Sequence, residues 1–166
     1  DDSARNRIAT ARFRVGQLKR NLSDPQGARD AFDQALGQFQ QLTRHVPSNV
    51  GHAKTLGDVL AARARLDSSW NPDARTDFKD AIASYTSAIE IDPDDSSIVY
   101  GMACVCCRVG RFEEALDHLE HAISLGFHHR EWIENDTDLS DLRELPRFAK
   151  LLEKLETTTE VTEDTE

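Results

Sequence analysis

The sequence predicts an all-α fold, and three observations predict it. One apolar helical pattern occurs three times, its last two copies offset by 34 residues. Each copy is preceded by a second segment with an apolar face of helical period. No stretch alternates apolar and polar residues as a half-buried strand would. Together these describe helix pairs repeated along the chain, each burying against its neighbours a face it cannot bury alone.

The first helix is expected from the stripe Ile8, Ala11, Val15, Leu18 and Leu22, which is expected to pack on the helix that follows. That second helix carries Ala28, Phe32, Ala35, Phe39 and Leu42 on one face and stops before Pro47. The second pair begins with AKTLGDVLAARARL (Ala53 to Leu66). A long loop, Asp67 to Thr76, is expected before its partner FKDAIASYTSAIEIDP (Phe78 to Pro93). Trp70 in that loop reads as packing cover, with an exposed recognition anchor as the alternative. In the third pair, Asp94, Asp95, Ser96 and Ser97 offer N-caps to IVYGMACVCCRV, which closes at Gly110. Its partner is FEEALDHLEHAISLGF (Phe112 to Phe127), where Phe112, Ala115, Leu119, Ala122 and Leu125 match Phe78, Ala81, Tyr85, Ala88 and Ile91. The small residues admit a second helix at close range, and the large ones fill the space between.

These residues resemble the tetratricopeptide repeat family. Its pattern of a large–small pair, a Gly and a small–aromatic–Ala run is met by Met102-Ala103, Gly110, Ala115, Leu119 and Ala122. The first repeat supplies Val15-Gly16, Ala28, Phe32 and Ala35; the second, with its insertion, supplies Leu56-Gly57, Ala81, Tyr85, Ala88 and Pro93. Residues 126–152 are similar to the capping region after the last repeat of many bacterial members, through Gly126, Trp132, Ile133, Asp136, Leu139, Leu142, Pro146, Arg147, Phe148 and Leu152. Trp132, Leu139, Leu142, Phe148 and Leu151 are then expected to cover the last repeat. The resemblance implies a single domain over 1–155, with repeats at about 4–47, 49–93 and 96–127 and a cap at 128–155. The acidic stretch 156–166 is expected to be a disordered tail. The elongated first repeat is also similar to regions C-terminal to bacterial serine/threonine protein kinases. No kinase motif is present, so any kinase would lie upstream, and with Asp1 first and Met102 the one Met the chain reads as processed or excised.

Composition narrows the function classes. The 166 residues carry 20 Lys+Arg and 30 Asp+Glu, a net charge of -10, which disfavours nucleic acid as a partner. The charge is uneven: residues 1–75 balance to +4 and residues 76–166 to -14, a polarity that steers partners. No apolar run suffices for a membrane span. Three cysteines within four positions do not suit a disulfide scaffold and point to a reducing, cytoplasmic setting.

Chemistry is weighed against packing at Cys104, Cys106 and Cys107, which have His118, His121, His128 and His129 near them in sequence. Cys104 and Cys106 point about 200° apart on a helix, and the His pair lacks the HExxH spacing of zinc enzymes. The expectation is packing, with no metal, no cofactor and no catalytic residue. A protein or peptide partner is expected instead. In the family, first-helix positions line the binding groove, which implies Thr10, Phe13, Gln17, Arg20 and Asn21 in the first repeat. It likewise implies Gly51, Lys54, Asp58, Ala61 and Ala62 in the second, and Ser97, Tyr100, Cys104, Cys107 and Arg108 in the third. Phe13 and Gln17 stand where the family's carboxylate clamp has Lys and Asn, and Asp58 would repel a carboxylate. The chain's own termini are a rival occupant of that groove. A homodimer through the elongated helices, and an enzyme built on the Cys/His residues, are the alternative readings.

Overall fold

The computed structural model describes residues 1–66 and 72–163, the last eight by backbone alone. Trp70 lies outside the described residues. Among the described residues there are helices and no strand. The chain divides into two compact units, Asp1–Pro93 and Asp94–Glu166.

The first unit holds two antiparallel-ready helix pairs whose ends follow from local chemistry. Helix α1 (Asp2–Asn21) starts with the Asp1 carboxylate accepting from the Ser3 amide, and Lys19 and Arg20 close its negative end. Helix α2 (Pro25–His45) has Asp24 as its cap, accepting from the Gly27 amide at 2.8 Å, and Pro25 in its first turn, where a missing N–H costs nothing. It stops one residue before Val46-Pro47, because a residue ahead of proline is driven out of the helical region. Helix α3 (Val50–Ala64) is capped by Asn49, which accepts from the His52 amide at 3.0 Å. Helix α4 (Pro72–Ile91) ends at the Asp92-Pro93 step for the reason α2 ended.

Residues 72–76 of the stretch read from sequence as a loop are therefore helical. Pro72 opens α4, and Asp73 and Thr76 belong to its first turns, with the Thr76 hydroxyl donating to the Pro72 carbonyl at 2.9 Å.

Packing of α2 follows the expected face, and that of α4 does so except at Ile91 in its last turn, which is exposed. Ala28, Phe32, Ala35, Phe39 and Leu42 are all buried, as are Phe78, Ala81, Tyr85 and Ala88. Helix α1 does not. It packs on α2 through Ala9, Phe13 and Gly16, with the Phe13 and Phe32 rings 5.8 Å apart, and its expected stripe points to solvent. The reason is volume. A Cβ on Gly16 would stand 2.4 Å from the Phe32 ring, so this bulky residue requires an interface with no side chain opposite it. Gly57 plays the same part for Tyr85, whose ring would lie 3.1 Å from an added Cβ.

The second unit pairs α5 (Ser96–Arg108) with α6 (Phe112–Ser124) and closes with α7 (Arg130–Asn135), a 3-10 helix (Thr137–Leu142) and α8 (Pro146–Glu163). Asp95 caps α5, accepting from the Ser97 amide and hydroxyl. Leu139, Leu142, Phe148 and Leu151 are buried as the capping segment requires. Trp132 is not: it is 63% exposed while its neighbour Ile133 is fully buried, since adjacent helical positions point about 100° apart and only one faces inward. Arg147 joins α8 to α6, donating to Asp117 at 2.7 Å and Glu120 at 3.0 Å. Helix α8 continues to Glu163, so the backbone is helical through most of the stretch read from sequence as a disordered tail.

Candidate functional site

The sequence-derived groove residues fall into two groups with different fates. In the first unit, Phe13, Gln17, Arg20 and Asp58 line one open cavity of about 270 Å³, completed by Ala62, Arg65 and Tyr85. Helices α1 and α3 bring them together because both present their first-helix positions to the same side, and α4 supplies Tyr85. Asp58 is engaged on both oxygens: Oδ2 accepts from Lys54 Nζ at 3.0 Å, one turn away, and Oδ1 accepts from the Tyr85 hydroxyl. Lys54 thus holds Asp58 and does not line the cavity. The repulsion that the sequence assigned to Asp58 is offset by that partner, and the wall also includes the side chains of Arg20 and Arg65. Sequence reasoning missed Arg65 and Tyr85. Tyr85 reads from its spacing as core filler, and it is buried, yet its hydroxyl edge reaches the cavity. Arg65 lies just past the end of α3, beyond the pattern that identifies groove positions.

In the second unit the corresponding face is covered. Tyr100, Cys104 and Cys107 are buried, and Arg108 alone is exposed. The Tyr100 ring stacks on Phe127 at 4.1 Å, and its hydroxyl donates to Asp136 Oδ2 at 2.7 Å. The Cys104 thiol also donates to Asp136 Oδ2, at 3.7 Å. The chain's own capping segment occupies the place of a partner here. Burial leads the causes that raise the Tyr100 hydroxyl far above its ordinary range, so it stays a donor.

Among the described residues, Cys104, Asp136 and Asp138 are a group whose potential ligand atoms lie within 4.8 Å of one another. None of the four histidines near the cysteines in sequence belongs to it. Asp136 is already committed: Oδ2 takes the Tyr100 hydroxyl and the Cys104 thiol, and Oδ1 caps the 3-10 helix at the Asp138 amide, 2.8 Å away. Such an arrangement is a hydrogen-bonded helix start, which a metal would have to dismantle.

The cysteines are poor nucleophiles as placed. Cys106 and Cys107 are free and buried, and burial pushes both thiols up to about 11. The thiolate is the reactive form, so both are expected to resist iodoacetamide at pH 8 in the folded protein and to react on unfolding in urea, as read by mass spectrometry. The sign for stability follows. The folded state binds these protons more tightly than the unfolded one. Their contribution is complete below the ordinary thiol value of 9.0 and is lost as pH rises toward 11. Urea midpoints should therefore fall over that window, less steeply in a Cys106→Ala/Cys107→Ala variant.

Successive helix pairs of one pattern, followed by a helical cap, define a helical-repeat protein. Residues 74–132 match the model of the tetratricopeptide repeat family. No curated protein sequence matches it. Among solved structures, two crystal structures of MamA are similar. One has 18% identity over 89% of this chain and 96% of MamA, with a TM-score of 0.41. The other has 20% identity over 92% and 94%, with a TM-score of 0.38. At that distance nothing of MamA is carried over to this chain. Among the described residues no helix is long and apolar enough to cross a membrane.

Proposed function

We propose that this chain is a protein–protein interaction module that docks a peptide in the cavity of its first unit. The observation that carries the reading is the convergence of Phe13, Gln17, Arg20 and Asp58, each named from its first-helix position, on one cavity. Its chemistry suits an extended or helical peptide that sets an apolar side chain against Phe13 and an acidic one beside Arg20. Aromatic and Arg residues are the usual anchors of such contacts, the ring supplying area and the guanidinium a forked donor. Three buried cysteines that form no disulfide fit a reducing, cytoplasmic setting. A role as docking region of a larger signalling protein rests on the resemblance of the first repeat to kinase-linked regions, and the sequence upstream of Asp1 tests it.

The docking reading is tested with peptides selected from a displayed random library against the intact protein. Arg20→Glu and, separately, Phe13→Ala should each weaken the selected peptides by about tenfold or more, while Arg108→Glu leaves them unchanged. Arg20 is exposed, so its reversal tests binding without touching the core. Selected peptides that bind all three variants equally would overturn the reading.

A further inference from the structure

The face of α1 that the fold leaves in solvent, continued by Leu22 at its C-cap, carries an unbroken apolar stripe. Ile8, Val15, Leu18 and Leu22 are 49%, 44%, 62% and 78% exposed, although each is a large apolar residue. With Ala11 they are spaced 3, 4, 3 and 4 residues apart, the spacing of the a and d positions of a heptad. The seam spans four turns, about 20 Å, on the side of α1 opposite Ala9 and Gly16. Its borders share one sign. Arg5, Arg12 and Lys19 fall at the e positions, and Arg7 and Arg14 at two of the three g positions, Asn21 taking the third. Among the described residues Arg7, Arg12 and Arg14 have no ion pair. Arg5 and Lys19 make only long, exposed contacts, to Asp2 at 3.4 Å and Asp24 at 3.7 Å.

We infer that α1 docks an amphipathic helix of another protein, apolar at its own a and d positions and rich in Glu or Asp at e and g. Charges at e and g decide which helices pair. Five cations around one seam repel the same seam of a second copy and attract an acidic one, so the pattern selects a partner as well as an orientation. Residues that serve no packing purpose inside the first unit acquire one in that complex. The seam is separate from the cavity of Phe13 and Arg20, which lies on the opposite side of α1, so each site can fail without the other.

The test uses the whole chain and two synthetic three-heptad peptides with Leu at a and d, one with Glu at e and g, its twin with Lys there. The protein should bind the Glu peptide and not the twin. Leu18→Glu should weaken that complex by about tenfold or more, and Arg7→Glu/Arg14→Glu should shift preference toward the Lys peptide. Unfolding midpoints should stay unchanged, because every altered side chain is exposed. Failure to bind the Glu peptide, equal binding of the twins, or binding that Arg20→Glu abolishes and Leu18→Glu does not would each overturn the inference. So would Leu18-dependent self-association in sedimentation. Stronger Leu18-dependent capture by vesicles of phosphatidylcholine and phosphatidylglycerol would also refute it, assigning the seam to a membrane surface.

Discussion

Replacing Arg63 by Leu is expected to destabilise the protein by about 3–5 kcal/mol, the cost of leaving a buried charge without its partner. Arg63, in the last turn of α3, donates from Nε to Asp77 Oδ2 at 2.7 Å and from Nη2 to Asp77 Oδ1, a forked pair that matches the planar carboxylate. Its third nitrogen reaches Asp33 of α2 at 2.7 Å. One side chain thus holds α2, α3 and α4 together, and hydrogen bonding to Asp77 leads the causes that raise the Arg63 guanidinium above its ordinary value. The Asp77 side chain is only 8% exposed, so water cannot replace what Leu removes. An Arg63→Leu/Asp77→Leu double variant should recover most of the loss, because a well-packed apolar pair is often as stable as a buried ion pair. Urea unfolding measures both. A single variant within about 1 kcal/mol of the parent would show that the pair is a surface contact.

Phe32→Ala should cost a similar amount, about 3–5 kcal/mol, because the ring is wholly buried between α1 and α2 and its loss leaves a cavity. The matching change on the other helix fails for the opposite reason. Gly16→Val places a Cβ where the nearest ring atoms lie 2.4 and 2.5 Å away, and overpacking of that kind costs about 1–3 kcal/mol. The two sites share one volume, so a Gly16→Val/Phe32→Ala double variant should be much less damaged than the two losses added together. Strict additivity in a denaturant series would show that the helices separate instead of pressing together at this point.

Helix limits were legible in the sequence because they are local. The Val46-Pro47 and Asp92-Pro93 steps at helix ends and the Asp95 cap act on neighbouring backbone groups only, whereas Pro72, which opens α4, falls in the stretch read from sequence as a loop. The inward faces of α2 and α4 were legible too, since Phe32, Phe39, Phe78 and Tyr85 leave no competing apolar face on their helices. The cavity was half legible: Phe13, Gln17, Arg20 and Asp58 sit at pattern positions, whereas Arg65 follows the helix end and Lys54 turned out to be a support for Asp58.

By itself the sequence determined an all-α protein of paired helices with a capped end. Period, caps and prolines act within a few residues, and burial then follows the apolar face. The tertiary structure decided what depends on two surfaces at once. Helix α1 has two plausible inner faces, and the larger apolar one lost because Phe32 needs the empty space at Gly16. Tyr100 and Cys104 occupy groove positions, yet Asp136, more than thirty residues along the chain, claims both of their donors. Volume complementarity and hydrogen-bond competition belong to pairs of distant segments, and no single stretch of sequence contains them.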